Sequence, residues 1–258
     1  MSSSTQKIRW LHAALGVCAL TIFAASMVLN AMREYDIVRP VEFCIVPLCA
    51  VYALSRLKEC GRDGALVLAA LFCTICADVF MILLEDFYPL SLAFFSAAQL
   101  IYCARIHIFR NSTKYSAILL PVRAVCSAAI CAAGAVLFPD DAALVCLAGF
   151  YFLNLLFNAG EALALAPRGK KYILFAAGLI LFAGCDICVG LNAGYTVGLY
   201  IGSAGLYAVN LLIWIFYMPS QILLAMSATK KEDRTDCGRI NTDCRRADCG
   251  GKEYDERG

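Results

Sequence analysis

The sequence predicts an all-α, polytopic membrane helix bundle of eight transmembrane helices, with both termini in the cytosol. Composition is the first ground: of 258 residues 61% are hydrophobic and 16% charged, and the mean hydropathy is +0.72. Soluble domains run to about 45–50% apolar and about 25% charged, so both measures move toward a lipid environment together. The second ground is a series of apolar runs near the ~20 residues that a bilayer demands. The third is the placement of basic side chains between those runs. A net charge of +2 excludes a nucleic-acid partner held by bulk charge.

The runs fall at about 10–32, 38–55, 65–84, 88–109, 116–138, 142–166, 172–191 and 198–228. Lys7 and Arg9 precede the first, which is too long for the apolar core of a signal peptide and is expected to stay as an anchor. Pro121 and Arg123 interrupt the fifth. Proline suits a first helical turn and arginine can snorkel, so this span is expected to begin near Pro121 with Arg123 reaching the interface. With the N-terminus inside, all of the 22 basic residues except Arg33 and Arg39 fall on the cytosolic side, while Glu34, Asp36, Glu85, Asp86, Asp140 and Asp141 lie outside. That asymmetry is the positive-inside pattern, and it supports the count of eight as well as the direction. Residues 1–229 make the membrane domain. Residues 230–258 are polar, charged and poor in aromatics, and are expected to be a disordered cytosolic tail, with Lys230, Lys231 and Arg234 near lipid headgroups.

Fifteen cysteines suggest a disulfide framework until they are placed. Eleven lie in apolar runs, Cys60 in a short basic stretch, and Cys237, Cys244 and Cys249 in the tail. Thiols within spans act mainly as small, soft hydrophobes, and Cys73-x-x-Cys76 and Cys185-x-x-Cys188 are read as packing. The tail cysteines have no accompanying histidine or Cys-x-x-Cys spacing, so no metal site is expected there or elsewhere.

Two residues do not fit a purely structural role. The run 66–84 holds one ionisable group, Asp78, and 172–191 holds Asp186. A carboxyl inside a span is costly unless it faces a polar cavity or a partner, which makes each a functional candidate. Asp78 lies thirteen residues after Ala65 and Asp186 fourteen after Tyr172. Both spans run outward, so both acids sit roughly 20 Å above the cytosolic edge. The expectation is that they meet in one wet pocket. Gln99, Tyr102, Asn154, Asn158, Asn192, Tyr207 and Asn210 fall near the same zone, with Tyr217 and Gln221 further toward the cytosol, and Arg39 and Glu42 stand at the outer end of the second span. Taken singly, the amides and phenols read as interhelical hydrogen bonds worth about 1 kcal/mol. His12 and His107 lie near cytosolic helix ends and read as interfacial.

The segments Asp78-Val-Phe-Met-Ile-Leu and Phe95-x-x-x-Gln99-x-x-Tyr102 resemble the third and fourth helices of the YhhN-like lysoplasmalogenase family of membrane proteins. Arg39-Pro40, Cys185-Asp186 with Asn192 six residues on, and Tyr217-x-x-x-Gln221 extend the likeness over about residues 10–228. The family often carries His at the position of Gln99, Ser at Cys185, Gly at Ala77 and Lys at Arg39. The histidine is the departure that bears most on substrate and activity. The resemblance implies hydrolysis of the vinyl ether of lysoplasmalogens to a fatty aldehyde and a glycerophospho-base. It also implies that Asp78 and Asp186 are catalytic, and that Arg39, Gln99, Tyr102, Asn154, Asn192, Tyr217 and Gln221 bind substrate. No cofactor is expected. Partners are a lysophospholipid substrate and membrane lipid, in a bacterial cell membrane or an ER-type membrane.

Such chemistry suits two carboxyls. One protonates the vinyl ether at its β-carbon; the other stabilises the resulting oxocarbenium ion and takes a proton from water, the division of labour of glycosidases. The alternative is a transporter or a lipid or proton sensor that uses the same aspartates without hydrolysis. Against it stands the lack of Gly/Pro-broken helix pairs, although Gly198, Gly202 and Gly205 lie in the last span. An intramembrane aspartyl protease also uses two aspartates, but Asp78 follows Cys-Ala and Asp186 follows Gly-Cys, so its Gly-x-Gly-Asp signature is missing.

Overall fold

The structure is a computed structural model that describes residues 3–110, 113–196 and 202–228. The tail 230–258, with Cys237, Cys244 and Cys249, and Gly198 of the last span lie outside the described residues. Nine α-helices follow in order among those described: α1 (Ser3–Met32), α2 (Tyr35–Phe43), α3 (Ile45–Ser55), α4 (Leu57–Asp78), α5 (Tyr88–Arg110), α6 (Thr113–Leu137), α7 (Ala142–Leu165), α8 (Lys170–Thr196) and α9 (Ser203–Met226). Eight spans are long and apolar enough to cross a membrane, because α2 and α3 together make one, Asp36–Ser55. The protein is an integral multi-pass membrane protein.

Local chemistry explains where these helices break. Between α2 and α3 the Cys44 N–H turns to the Val41 carbonyl at 3.2 Å. Pro47 has no N–H to give the Phe43 carbonyl, so the ladder is interrupted there. Gly61 has φ 55° and ψ −127° inside α4, a left-handed setting that a Cβ disfavours. It separates a short basic turn from the span proper. At the other end α4 passes at Asp78 into a π-helical turn, Val79–Leu83, closed by the Leu84 N–H on the Val79 carbonyl at 2.9 Å. The widened turn begins at the residue after the acid.

Packing decides which faces point inward. The buried residues of α4 include Cys60, Gly64, Val67, Leu71, Thr74 and Asp78, one stripe at alternating steps of four and three. Asp78 is therefore the last member of an inward face. α5 packs on α4 and α7, α8 on α7 and α9, and α3 on α4 and α9, which encloses the core. Among the described residues α6 makes its substantial contacts with α7 alone.

Buried polar ties pin both ends. Glu42 on α2 accepts from Ser26 Oγ at 2.8 Å and from Asn30 Nδ2 at 2.7 Å, both on α1. Arg105 is fully buried near the end of α5. Its guanidinium forks onto Asp63 at 2.7 and 3.0 Å, donates to Ser227 Oγ and O at 2.7 and 2.9 Å, and lies 4.5 Å from the Phe175 ring centroid. One side chain thus joins the start of α4 to the ends of α5 and α9 and the start of α8. Arg123 corrects an expectation. It does not snorkel, and Pro121 lies inside α6 rather than at its start. Its guanidinium is buried against α7, donating to Asn154 Oδ1 at 3.2 Å, Asn158 Oδ1 at 2.9 Å and Glu161 Oε1 at 2.6 Å. A neutralising carboxylate within reach makes the inward rotamer better than the interface.

Candidate active site

Each acid has its own tyrosine. Tyr217 on α9 donates its O–H to Asp78 Oδ2 at 2.6 Å, and Tyr151 on α7 donates to Asp186 Oδ2 in a short hydrogen bond. Asp78 is sealed at 1% exposure, whereas Asp186 is partly exposed. The two tyrosines are joined through Phe182, one turn before Asp186 on α8. Its ring centroid lies 5.8 Å from that of Tyr217 and 6.5 Å from that of Tyr151, and Phe95 on α5 closes the cluster at 5.9 Å from Phe182 and 5.5 Å from Tyr151. Cys185 lies within electrostatic range of both carboxyls, and Tyr151 within range of both as well. The carboxyls therefore share one aromatic-walled region rather than opposite sides of the bundle.

Below them, toward the end held by Arg105, the core carries polar atoms that no group among the described residues satisfies. Gln99 Nε2, Tyr102 Oη and Gln221 Oε1 are buried without a hydrogen-bond partner among those residues. Gln99 and Tyr102 lie one and two turns beyond Phe95 on α5, and Gln221 one turn beyond Tyr217 on α9. Buried polar groups are nearly always paired, so such atoms mark places where water or a ligand completes the bonding. Gln99 is held from the other side. Asn158 Nδ2 donates to its carbonyl at 2.8 Å and to its Oε1 at 2.9 Å, which leaves Nε2 as the free donor.

The remaining residues singled out in the sequence fall elsewhere. Asn154 and Asn158 are buried, but their carbonyl oxygens face Arg123, so Asn154 belongs to the α6–α7 ion-pair network. Arg39 sits at the rim in a half-exposed ion pair with Glu85 at 2.5 Å, next to the π turn. Asn192 is partly exposed near the end of α8. His12 meets Ser55 Oγ at 3.1 Å, away from the acids.

Two residues escaped the sequence reading: Tyr151, and Glu161 as the partner of Arg123. Tyr151, Asn154, Asn158 and Glu161 are spaced three, four and three apart, a polar stripe down one helix face. That spacing was available in the sequence, but the pairing of Tyr151 with Asp186 was not. Among the described residues no three His, Cys, Asp or Glu side chains gather as metal ligands.

A family model described as the YhhN family matches residues 38–228. The chain belongs to the YhhN family. The match begins in α2 and runs to the end of α9, so it takes in both acids, both tyrosines and all three unpartnered groups. No curated protein and no solved structure matches the chain. YhhN membership supports a lysoplasmalogenase-type function at family level and suggests a hydrolase-type enzyme.

Proposed function

We propose that this YhhN protein hydrolyses the vinyl ether bond of lysoplasmalogens, with Asp78 and Asp186 as the catalytic pair. The observation that carries the reading is two carboxyls in one aromatic enclosure, each oriented by a tyrosine O–H, above the buried atoms Gln99 Nε2, Tyr102 Oη and Gln221 Oε1, which have no hydrogen-bond partner among the described residues. One carboxyl delivers a proton to the β-carbon of the vinyl ether, and the oxygen-bearing carbon becomes an oxocarbenium ion. The second carboxyl, as carboxylate, faces that cation and removes a proton as water adds. The hemiacetal then collapses to a fatty aldehyde and the free hydroxyl of the glycerophospho-base. Asp186 is the more open of the two and meets the water; Asp78, sealed behind Tyr217, is the donor. Gln99, Tyr102 and Gln221 bind water or the glycerol hydroxyl. Arg39 and Asn192, nearer the rim, fit the phosphate of the headgroup.

The test is incubation of purified protein with a lyso-plasmenyl lipid and its matched lyso-acyl lipid, assaying aldehyde and fatty acid separately. Aldehyde release from the plasmenyl lipid alone is the expected result. Asp78→Asn and Asp186→Asn should each lower it by about 100-fold or more, the scale of general acid–base catalysis. Activity retained in both single variants refutes the assignment. Proton flux in proteoliposomes without hydrolysis would favour the transport or sensing alternative.

A further inference from the structure

Away from the carboxyls, two thiols face each other across the α6–α7 interface. Cys146 Sγ donates to the Cys131 carbonyl at 3.0 Å, and Cys131 Sγ approaches the Cys146 carbonyl at 3.6 Å. The backbones come close at this point. Gly134 and Gly149 each follow one of the cysteines by three residues. A Cβ added at Gly149 would lie 2.3 Å from Ile130 Cγ2, and one at Gly134 would lie 2.9 Å from Val145 Cγ1. Small residues at helix crossings permit such approach, and a disulfide demands it, with Cβ atoms roughly 3.5–4.5 Å apart. Both cysteines are free and partly exposed, unlike Cys49, Cys60, Cys103, Cys185 and Cys188, which are buried. Cys146 is also only four residues into α7, roughly 6 Å from its first residue, which Asp140 and Asp141 of the connecting loop precede.

We propose that Cys131 and Cys146 form a redox modification site, at which an interhelical disulfide staples α6 to α7. The oxidant class is a soluble disulfide. One thiol, as its thiolate, displaces one half of the external disulfide and forms a mixed disulfide; the second thiolate then attacks the cysteine sulfur of that mixed disulfide and displaces the remaining half. The pair gives up two protons and two electrons, and the external disulfide leaves as two thiols. The bond has a structural purpose because, among the described residues, α6 is held substantially by α7 alone. The Arg123–Glu161 ion pair secures one end of that interface, and the disulfide would secure the other. Tyr151 lies five residues beyond Cys146 on the helix so fixed.

The test uses the full chain in native membranes and does not depend on catalysis. A protease site is inserted between Pro139 and Asp140, the membranes are oxidised with diamide or glutathione disulfide, remaining thiols are blocked with N-ethylmaleimide, and the chain is cut. On a non-reducing gel the halves should stay joined after oxidation and separate after phosphine reduction. Cys131→Ser and Cys146→Ser should each abolish the joining, and Cys126→Ser should not. Intact mass of the uninterrupted chain gives a second measurement, since oxidation should remove two alkylation sites in the wild type, whereas the one cysteine of the pair left in Cys131→Ser or Cys146→Ser should still be alkylated. Halves that separate after oxidation, or that stay joined in Cys131→Ser, overturn the proposal.

Discussion

Tyr151 and Tyr217 donate to the two acids from different helices, and both ring systems rest on Phe182. A phenol so placed takes up one carboxyl oxygen and, in the proposed reaction, leaves the other for the substrate, so it would orient the acid without consuming it. Removing the hydroxyl alone tests that role. Tyr151→Phe and Tyr217→Phe keep the aromatic packing and lose one hydrogen bond, worth about 0.5–1.5 kcal/mol. Each should lower kcat roughly threefold to tenfold with KM little changed, and a steady-state comparison of the two constants checks it. A rise in KM at constant kcat would instead mean that the hydroxyl binds substrate in its ground state. Gln99 follows the same logic at one remove. Asn158 occupies its carbonyl oxygen, so its NH₂ is the group left for water or ligand. The histidine that the family often carries here could also offer one ring nitrogen inward, which makes glutamine a replacement in kind for a donor though not for a base.

At the scale of elements the α6–α7 pair shows how a polar stripe is stabilised inside a bundle. Arg123 and Ser127 on α6 are buried four residues apart, and Arg123 faces the Asn154–Asn158–Glu161 stripe of α7. The guanidinium also lies 5.2 Å from the Phe157 ring centroid. A charge there is tolerable because its opposite is 2.6 Å away and amide oxygens take further N–H groups. Breaking such a pair strands the survivor, at a cost of about 3–5 kcal/mol. Arg123→Leu should therefore destabilise the protein on that scale, while Arg123→Leu combined with Glu161→Leu should recover part of the loss, measured by denaturant unfolding in mixed micelles. If the double variant is worse than the sum of the singles, the two side chains do not act as a pair. The same cut reaches the candidate site through Asn158. Gln99 should then lose its fixed orientation even though neither Arg123 nor Glu161 approaches the acids.

For the whole molecule, the Arg105 hub closes one end of the core, and the Arg39–Glu85 pair marks the opposite rim. From the distribution of basic residues in the sequence we propose that the Arg105 end faces the cytosol. An epitope inserted after Asp140 should be reached by antibody on intact cells, whereas one at Gly258 should be reached only after permeabilisation; the opposite pattern reverses the proposed orientation. Composition, run length and charge asymmetry were enough to determine an eight-span helical bundle, because each helix must satisfy its own backbone and bury about 20 apolar residues irrespective of its neighbours. The two aspartates were likewise legible as anomalies, since a lone carboxyl in an apolar run has a cost that sequence alone reveals. Partners were not. That Asp186 takes Tyr151, that Arg123 turns inward to Glu161, and that Asn154 serves the ion pair rather than the acids all depend on the rotation and neighbours of each helix. Those are set by side-chain packing between segments distant in the chain, which helical periodicity constrains only to a face and tertiary contact alone resolves to an atom.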